Sequence, residues 1–192
     1  MSHWIYATVA VGMLAVVACS GEASPGFVDT PECESIERRA VEQPLREVRI
    51  GLVTGGVAVT IDAEVADDTG SRSRGLMCRS EVPSGTGMLF QFDGLNSGPF
   101  WMFNTYVPLD ILYFDRSGSV VGSATMHPCP KERGESEGEW RSRCMGESTG
   151  YGPDGNYASA LELPAGWLLT QGHALEQLPD DLRLVEFGPV NP

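Results

Sequence analysis

The hydrophobic and polar positions of the chain alternate with the period of two that is typical of β-strands. In the stretch 48–66, apolar residues occupy every second position on both sides of Gly55 and Gly56. Paired glycines between two alternating segments favour a tight hairpin turn. The pattern therefore predicts two antiparallel strands joined at the glycine pair.

Short apolar runs, each bounded by turn residues, predict further strands along the rest of the chain. These strands are expected at 88–92, 100–103, 111–114, 120–124, 160–163 and 182–187, with turns at 93–94, 115–118 and 164–166. Helices are expected to be few and short, at 34–47, 70–79 and 167–169. The predicted fold is mainly β, an α+β domain with minor helices and an antiparallel or mixed sheet.

The stretch 128–157 differs from its surroundings because it holds few apolar residues and both signs of charge. Such a composition predicts a long solvated loop within one β-rich domain over 47–190. Trp140 is the exception in this loop, and we expect it to contact a partner.

The amino-terminal residues predict export from the cytoplasm. The apolar run 7–18 is too short to span a bilayer as a helix, and small residues precede Cys19. This arrangement resembles the lipobox of bacterial lipoproteins, which implies removal of a signal peptide, 1–18, and a lipid on Cys19. An ordinary secretory signal or an uncleaved anchor is the alternative. Residues 19–46, rich in Gly, Pro, Ser and acidic side chains, would then form a flexible tether.

The charge balance narrows the choice of partners. The chain has a formal net charge of −13 and a pI near 4.5. An acidic surface repels phosphate groups, so nucleic acid is not an expected partner. Anionic lipid headgroups are repelled in the same way, so the lipid is expected to hold the chain to the membrane. The predicted location is the periplasmic side of the bacterial cell envelope.

Five short motifs follow one another along the chain, at 74–77 (RGLM), 87–90 (GMLF), 101–105 (WMFNT), 108–110 (PLD) and 161–166 (LELPAG). In this order they resemble the family called domain of unknown function 192, over about 57–187. The resemblance implies a small, mostly β domain of compact barrel-like form, often exported, whose activity is unsettled. Cys78 and Phe103 depart from the residues usual in the family, so no family role is transferred to them.

Four cysteines remain once Cys19 carries a lipid, and in an oxidising compartment they allow three disulfide pairings. Cys129 and Cys144 lie in one local loop and are predicted to pair, which leaves Cys33 for Cys78. Two alternatives compete with this pairing. One is a metal site that uses His127 with Cys129 and Cys144, and the other is a catalytic Cys78 activated by neighbouring arginines. We expect neither a metal nor a cofactor.

Polar residues inside the apolar stretch 74–110 are the candidate ligand-binding residues. Their burial would cost a few kcal/mol unless each is hydrogen-bonded or paired. The candidates are Arg74, Arg79, Trp101, Asn104 and Asp110. In one interpretation they converge on a pocket, where an arginine binds an anionic group and Trp101 forms an apolar wall. In the other, Asp110 and Asn104 serve only local structure.

The sequence leaves three functions open. The first is a lipid-anchored, non-catalytic envelope protein that binds a small anionic ligand or another envelope protein. The second is an uncharacterised hydrolase or lyase with Asp110 as acid or base and Arg74 or Arg79 stabilising negative charge. The third is a metal accessory protein, for copper, that uses Met and His side chains.

Overall fold

The computed structural model describes residues 26–190, so the predicted signal peptide and Cys19 lie outside the described part. The strands within it are β1 Glu47–Thr54, β2 Val57–Ala66, β3 Thr86–Asn96, β4 Leu109–Phe114, β5 Val120–Met126, β6 Tyr157–Pro164 and β7 Arg183–Pro189. The α-helices are α1 Glu34–Glu42, α2 Thr69–Arg74, α3 Glu137–Glu147 and α4 Trp167–Thr170. Between residues 26 and 190, no helix is long and apolar enough to cross a bilayer.

The strands form one mixed sheet in the order β5-β4-β6-β3-β2-β1-β7. The predicted hairpin is β1 and β2, in which Gly55 and Gly56 take positive φ angles of 55° and 79°. Strand β3 pairs parallel to β2, and α2 lies in the connection between them. The other neighbouring strands are antiparallel. The predicted fold class, mainly β with minor helices, is confirmed.

The sheet is open, so the barrel-like form implied by the family resemblance is wrong. Its two edge regions meet at an isolated bridge between Ser119 and Arg183. There the N–H of Leu184 donates to the carbonyl of Gly118 at 2.9 Å. Apart from this contact, the edge strands β5 and β7 are not paired with each other.

Apolar side chains cover both faces of the sheet. Strand β4 is buried along its whole length, and its side chains alternate between two clusters. Ile111 and Tyr113 lie on one face, here called the front face, and Leu112 and Phe114 lie on the back face. Because side chains of a strand alternate with a period of two, Asp110 shares the back face with Leu112.

Three local predictions differ from the structure. Residues 93–94 continue β3 and do not form a turn, and residues 100–103 form no strand. Helix α3 begins at Glu137, inside the stretch predicted to be a solvated loop. It is started by a capping box between Ser136 and Glu139, and Trp140 is only 1% exposed. The expectation that Trp140 contacts a partner is therefore wrong, because Trp140 and Cys144 are buried in the front-face cluster and anchor this otherwise polar helix there.

Candidate functional site

A groove of about 570 Å³ runs beside Trp101 on the front-face side of the molecule, and we call it the Trp101 groove. Its walls come from several parts of the chain, among them α1, α2 with the turn after it, the irregular segment 97–107, the loop before α3, and α3 itself. Ile36, Met77, Trp101, Asn104 and Arg141 are examples of the lining residues. Two of the predicted site residues, Trp101 and Asn104, thus meet in one cavity.

An aromatic wall forms one side of the groove. The rings of Trp101 and Phe103 stack with centroids 5.0 Å apart, and Phe103 packs on Trp140 at 4.2 Å. The guanidinium of Arg141 lies 4.4 Å from the centroid of Phe103 and 5.9 Å from that of Trp101. Stacked rings held in this way give a ligand an ordered apolar surface.

Backbone hydrogen bonds hold the wall from both sides. The carbonyl of Asn104 accepts from the N–H of Cys78 at 2.9 Å, and the carbonyl of Thr105 accepts from the N–H of Cys129 at 3.0 Å. Each of these cysteines is in a disulfide, Cys33–Cys78 and Cys129–Cys144, as predicted. The segment that carries Trp101 is therefore fixed between two cross-linked loops.

The two disulfides argue against both alternatives for the cysteines, a metal site at Cys129 and Cys144 and a catalytic Cys78. A sulfur in a disulfide is not a thiolate, so Cys78 is not a nucleophile in this form and Cys129 and Cys144 are not metal ligands. Residues 26–190 contain no cluster of three or more His, Cys, Asp or Glu side chains placed to hold a metal ion. Disulfides are typical of an oxidising, exported environment.

The amide oxygen of Asn104 receives no hydrogen from a donor among residues 26–190. Its side chain is 3% exposed, and its Nδ2 donates to Sγ of Cys78 at 3.2 Å. Its Oδ1 lies 3.8 Å from Sγ of Cys33, which has no hydrogen to give in a disulfide. Asn104 also has a positive φ of 55°, a conformation that asparagine tolerates better than most residues. The oxygen is thus held in place beside the groove and can accept a hydrogen bond from a ligand.

Behind Trp101 lies a second, smaller cavity of about 30 Å³, the Glu162 cavity. Phe90, Phe100, Trp101, Thr105 and Glu162 contribute to its walls, together with the backbone turn after α2. Trp101 lines this cavity and the groove alike. The cavity has room for one or two water-sized groups.

Glu162 is the most unusual residue of the site. It lies on β6 between Leu161 and Leu163 of the back face, so its own side chain is directed to the front face. It is 4% exposed, and burial raises the pKa of its carboxyl to about 8. Burial is the one cause of this increase in pKa, and no hydrogen-bond donor among residues 26–190 opposes it. Burial therefore favours the protonated, neutral form of Glu162.

Arg79 is already paired. Its Nη2 donates to both oxygens of Glu64, at 2.7 and 2.9 Å, and its guanidinium lies 4.8 Å from the ring centroid of Phe27. Burial of Glu64 raises the pKa of its carboxyl even though Arg79 opposes the shift. The guanidinium of Arg79 is thus committed to an ion pair with Glu64, and Arg79 does not line the Trp101 groove.

Arg74 is half-buried at the end of α2, and no hydrogen bond joins its side chain to another residue in the described part of the chain. Burial and, to a smaller extent, the charge of Arg39 lower the pKa of its guanidinium. Glu64, and not Glu162, is the carboxylate that acts most strongly on it. Arg74 therefore lies near the Arg79–Glu64 pair, with which it lines one cavity. It also lines the Glu162 cavity.

Asp110 is separated from the other candidates. Its Oδ1 accepts from the hydroxyl of Thr125 at 2.7 Å, and its Oδ2 accepts from the N–H of Gly166 at 2.8 Å. These contacts tie β4 to β5 and to the turn after β6, on the back face. Each carboxylate oxygen of Asp110 accepts a hydrogen bond from the protein. Asp110 therefore serves local structure, as one of the two interpretations of the sequence expected.

The sequence does not single out Glu162, although it lies within the fifth motif. The signal was a lone carboxylate flanked by Leu161 and Leu163 in a strand too apolar to have a solvent face. Such a side chain must be buried on the opposite face from its neighbours.

Comparison with known proteins now gives the family. The model of domain of unknown function 192 (DUF192), described as "Uncharacterized ACR", matches residues 51–176. The chain belongs to the DUF192 family. The matched residues span β2 to β6 and so include the whole aromatic wall and Glu162.

Solved structures resemble this DUF192 domain in fold. A Sinorhizobium meliloti 1021 protein with a provisional description as a transcription regulator is 26% identical, with a TM-score of 0.56 over 74% of this chain and 95% of its own. A Novosphingobium aromaticivorans DSM 12444 protein of unknown function is 19% identical, with a TM-score of 0.55 over 85% of this chain and 94% of its own. No curated protein sequence matches the chain significantly.

Proposed function

We propose that this DUF192 protein is an exported, lipid-anchored module that binds a small ligand in the Trp101 groove without catalysing a reaction. The observation that carries the proposal is the groove itself. Its volume of about 570 Å³ lies in the range of small-molecule sites, roughly 300–1,000 Å³. It has an ordered aromatic wall and a positioned, donor-free oxygen on Asn104.

The charges beside the groove favour a neutral or cationic ligand over the anionic one expected from the sequence. Lys131 is paired with Glu32 at 3.0 Å, and Arg141 with Glu137 at 2.8 Å. Arg79 is committed to Glu64. An anion would have to compete with a carboxylate for each of these cations, in a chain of net charge −13.

The other two functions have less support. An acid or base needs an oxygen free to meet the substrate, and both oxygens of Asp110 are occupied. The thioethers of Met88 and Met102 are buried in the apolar core, at 1% and 2% exposure. The description of the Sinorhizobium protein as a transcription regulator is not extended to this chain, because its acidic balance opposes contact with DNA.

The test is mass spectrometry of small molecules that copurify with the full chain. Trp101→Ala removes the centre of the aromatic wall, and Phe187→Ala, at a 53% exposed position on β7, removes an aromatic ring elsewhere. We expect a molecule that is present with the unmodified chain and Phe187→Ala and absent with Trp101→Ala. Identical profiles for all three proteins would contradict binding in the groove.

A further inference from the structure

We infer that Asn104 sets the specificity of the Trp101 groove, and that the ligand is an uncharged aromatic ring system that carries an N–H or O–H donor. The inference rests on the proposed function and gives its ligand a chemical class. Three features of the groove carry it: an acceptor held in place without a donor, walls made of aromatic and apolar side chains, and charged groups that are already paired.

The side-chain oxygen of Asn104 is an unsatisfied acceptor. Nδ2 of the same amide donates to Sγ of Cys78 at 3.2 Å. Oδ1 has the sulfur of Cys33 as its neighbour at 3.8 Å, and a disulfide sulfur has no hydrogen to donate. No other side chain or main-chain N–H among residues 26–190 donates to this oxygen. A buried acceptor without a donor costs free energy, so the donor has to come from water or from a bound ligand.

The oxygen is also fixed in position. Asn104 and Cys78 are the two non-glycine residues with positive φ among residues 26–190, at 55° and 64°, and the N–H of Cys78 donates to the carbonyl of Asn104 at 2.9 Å. The disulfide joins Cys78 to Cys33, and Glu32 and Ile36, on either side of Cys33, line the groove together with Asn104. Strained residues held by their surroundings are typical of functional sites. An acceptor fixed in this way discriminates against a ligand that lacks a donor.

The walls of the groove select a ring. The rings of Trp101 and Phe103 are nearly parallel, with an angle of 18° between their planes, and Phe103 continues the stack to Trp140. The half-buried side chains of Ile36 and Met77 add to the apolar lining. Aromatic rings pack on one another in offset-stacked or edge-to-face arrangements, and a thioether is a favourable neighbour for a ring. A rigid aromatic ligand can extend this stack, whereas a flexible chain would lose more conformational freedom on binding.

The charged groups of the groove favour an uncharged ligand. Four of the lining residues are charged, and they form two ion pairs, Lys131 with Glu32 at 3.0 Å and Arg141 with Glu137 at 2.8 Å. Two positive and two negative charges cancel, so the groove has no formal net charge in a chain of net charge −13. A charged ligand would have to compete with one member of a pair for its partner, and an uncharged ring does not.

The experiment is isothermal titration calorimetry of the full chain in detergent, with indole as the probe and 1-methylindole as its counterpart without an N–H. The heat of adding each probe to detergent alone is subtracted. We expect indole to bind at least about fivefold more tightly, because its N–H can donate to Oδ1 of Asn104, whereas the methylated ring leaves that oxygen unsatisfied. Indole-3-acetate, which adds a negative charge, should bind less tightly than indole.

Variants of Asn104 assign the preference to its oxygen. Asn104→Gly removes the amide, and glycine adopts a φ of 55° without strain, so the preference for indole should disappear while both probes still bind. Asn104→Asp keeps an acceptor on a residue that tolerates the same φ, so the preference should remain. Trp101→Ala should weaken binding of both probes. The matched control Asn156→Gly removes an exposed amide outside the groove and should leave both affinities unchanged.

The outcomes separate this inference from the proposed function. Equal binding of the two probes, tighter binding of 1-methylindole, or no binding of indole would overturn the inference. The same holds for an unchanged preference in Asn104→Gly, a lost preference in Asn104→Asp, or tighter binding of indole-3-acetate than of indole. If the copurifying molecule lost in Trp101→Ala has no aromatic ring or no donor, the groove still binds a ligand and only the assignment of its class fails. If no molecule copurifies and neither probe binds, both fail together.

Discussion

Two buried carboxyls, Glu162 and Asp110, show how surroundings decide what a residue does. Both are almost fully buried, at 4% and 3% exposure, and both lie on central strands. Asp110 receives a hydroxyl and a backbone N–H, one to each oxygen. Glu162 faces a cavity and accepts no hydrogen bond from a side chain or backbone group among residues 26–190. Burial therefore disfavours its charged form.

At the residue scale, replacing Glu162 with Gln should stabilise the protein at alkaline pH. Below about pH 4.5 the carboxyl is protonated in the folded and unfolded chains and costs nothing. Between about 4.5 and 8 the unfolded chain loses this proton while the folded chain keeps it, so the free energy of unfolding falls as pH rises. The full cost, about 5 kcal/mol from the size of the shift, is present above about pH 8.

Urea unfolding of wild type and Glu162→Gln at several pH values measures this effect. The stabilisation by the variant should grow from near zero at about pH 4 to its full value at about pH 9. Glu176→Gln, which removes the same charge from an exposed position, should give no such trend. A difference between Glu162→Gln and wild type that does not change with pH would show that the carboxyl of Glu162 is satisfied in the folded chain.

Asp110 should respond to substitution as a structural residue. Asp110→Ala leaves the N–H of Gly166 and the hydroxyl of Thr125 without an acceptor, at a cost of about 3 kcal/mol. Asp110→Asn keeps an acceptor for Gly166 and offers a donor to Thr125, so it should cost less than about 1.5 kcal/mol. Urea unfolding measures both variants. Equal costs of about 3 kcal/mol for both variants would mean that Asp110 needs its charge and not only an acceptor.

At the scale of elements, the sequence predicts the strands of the sheet better than the helices and loops that pack around them. Strands β1 and β2 follow from alternation and a glycine pair, because each signal is local. Helix α3 is missed because its sequence is mostly polar, as in a solvated loop, and its position depends on burial of Trp140 and Cys144 against the front-face cluster. The open sheet is missed for a similar reason, since closure depends on how β5 and β7 meet across the whole domain.

The disulfide Cys129–Cys144 should stabilise α3 in particular. It closes a loop with a sequence separation of 15, worth about 3 kcal/mol in the chain-entropy model. We expect replacement of both cysteines by Ser to lower the free energy of unfolding by this amount and to shift the fluorescence of Trp140 to longer wavelength. The matched control replaces Cys33 and Cys78, whose separation is 45, and should cost about 4 kcal/mol without moving Trp140. An unchanged spectrum in the first variant would show that packing alone holds the helix.

The candidate site, like the fold, can be predicted from the sequence only where its residues lie close together along the chain. Trp101 and Asn104 can be found from the sequence because they stand close together in one segment. Glu162 comes from a strand almost 60 residues later, and only the pairing of β6 with β3 brings it behind Trp101. Arg79 is not available as an anion-binding residue because Glu64, 15 residues earlier on β2, is adjacent to it in space and forms an ion pair with it.

At the scale of the whole molecule, the charge balance predicts how the chain is held to a membrane. With a net charge of −13 and no basic face expected from the sequence, electrostatic attraction to anionic lipids cannot supply the attachment. A lipid on Cys19 can, because acyl chains bind through buried apolar area that salt does not screen. We therefore expect the protein to stay in the membrane fraction in about 1 M NaCl, and Cys19→Ser to move it to the soluble fraction. Retention of Cys19→Ser on the membrane would point to an uncleaved anchor, and release of the unmodified chain by salt would point to a charged partner at the membrane surface.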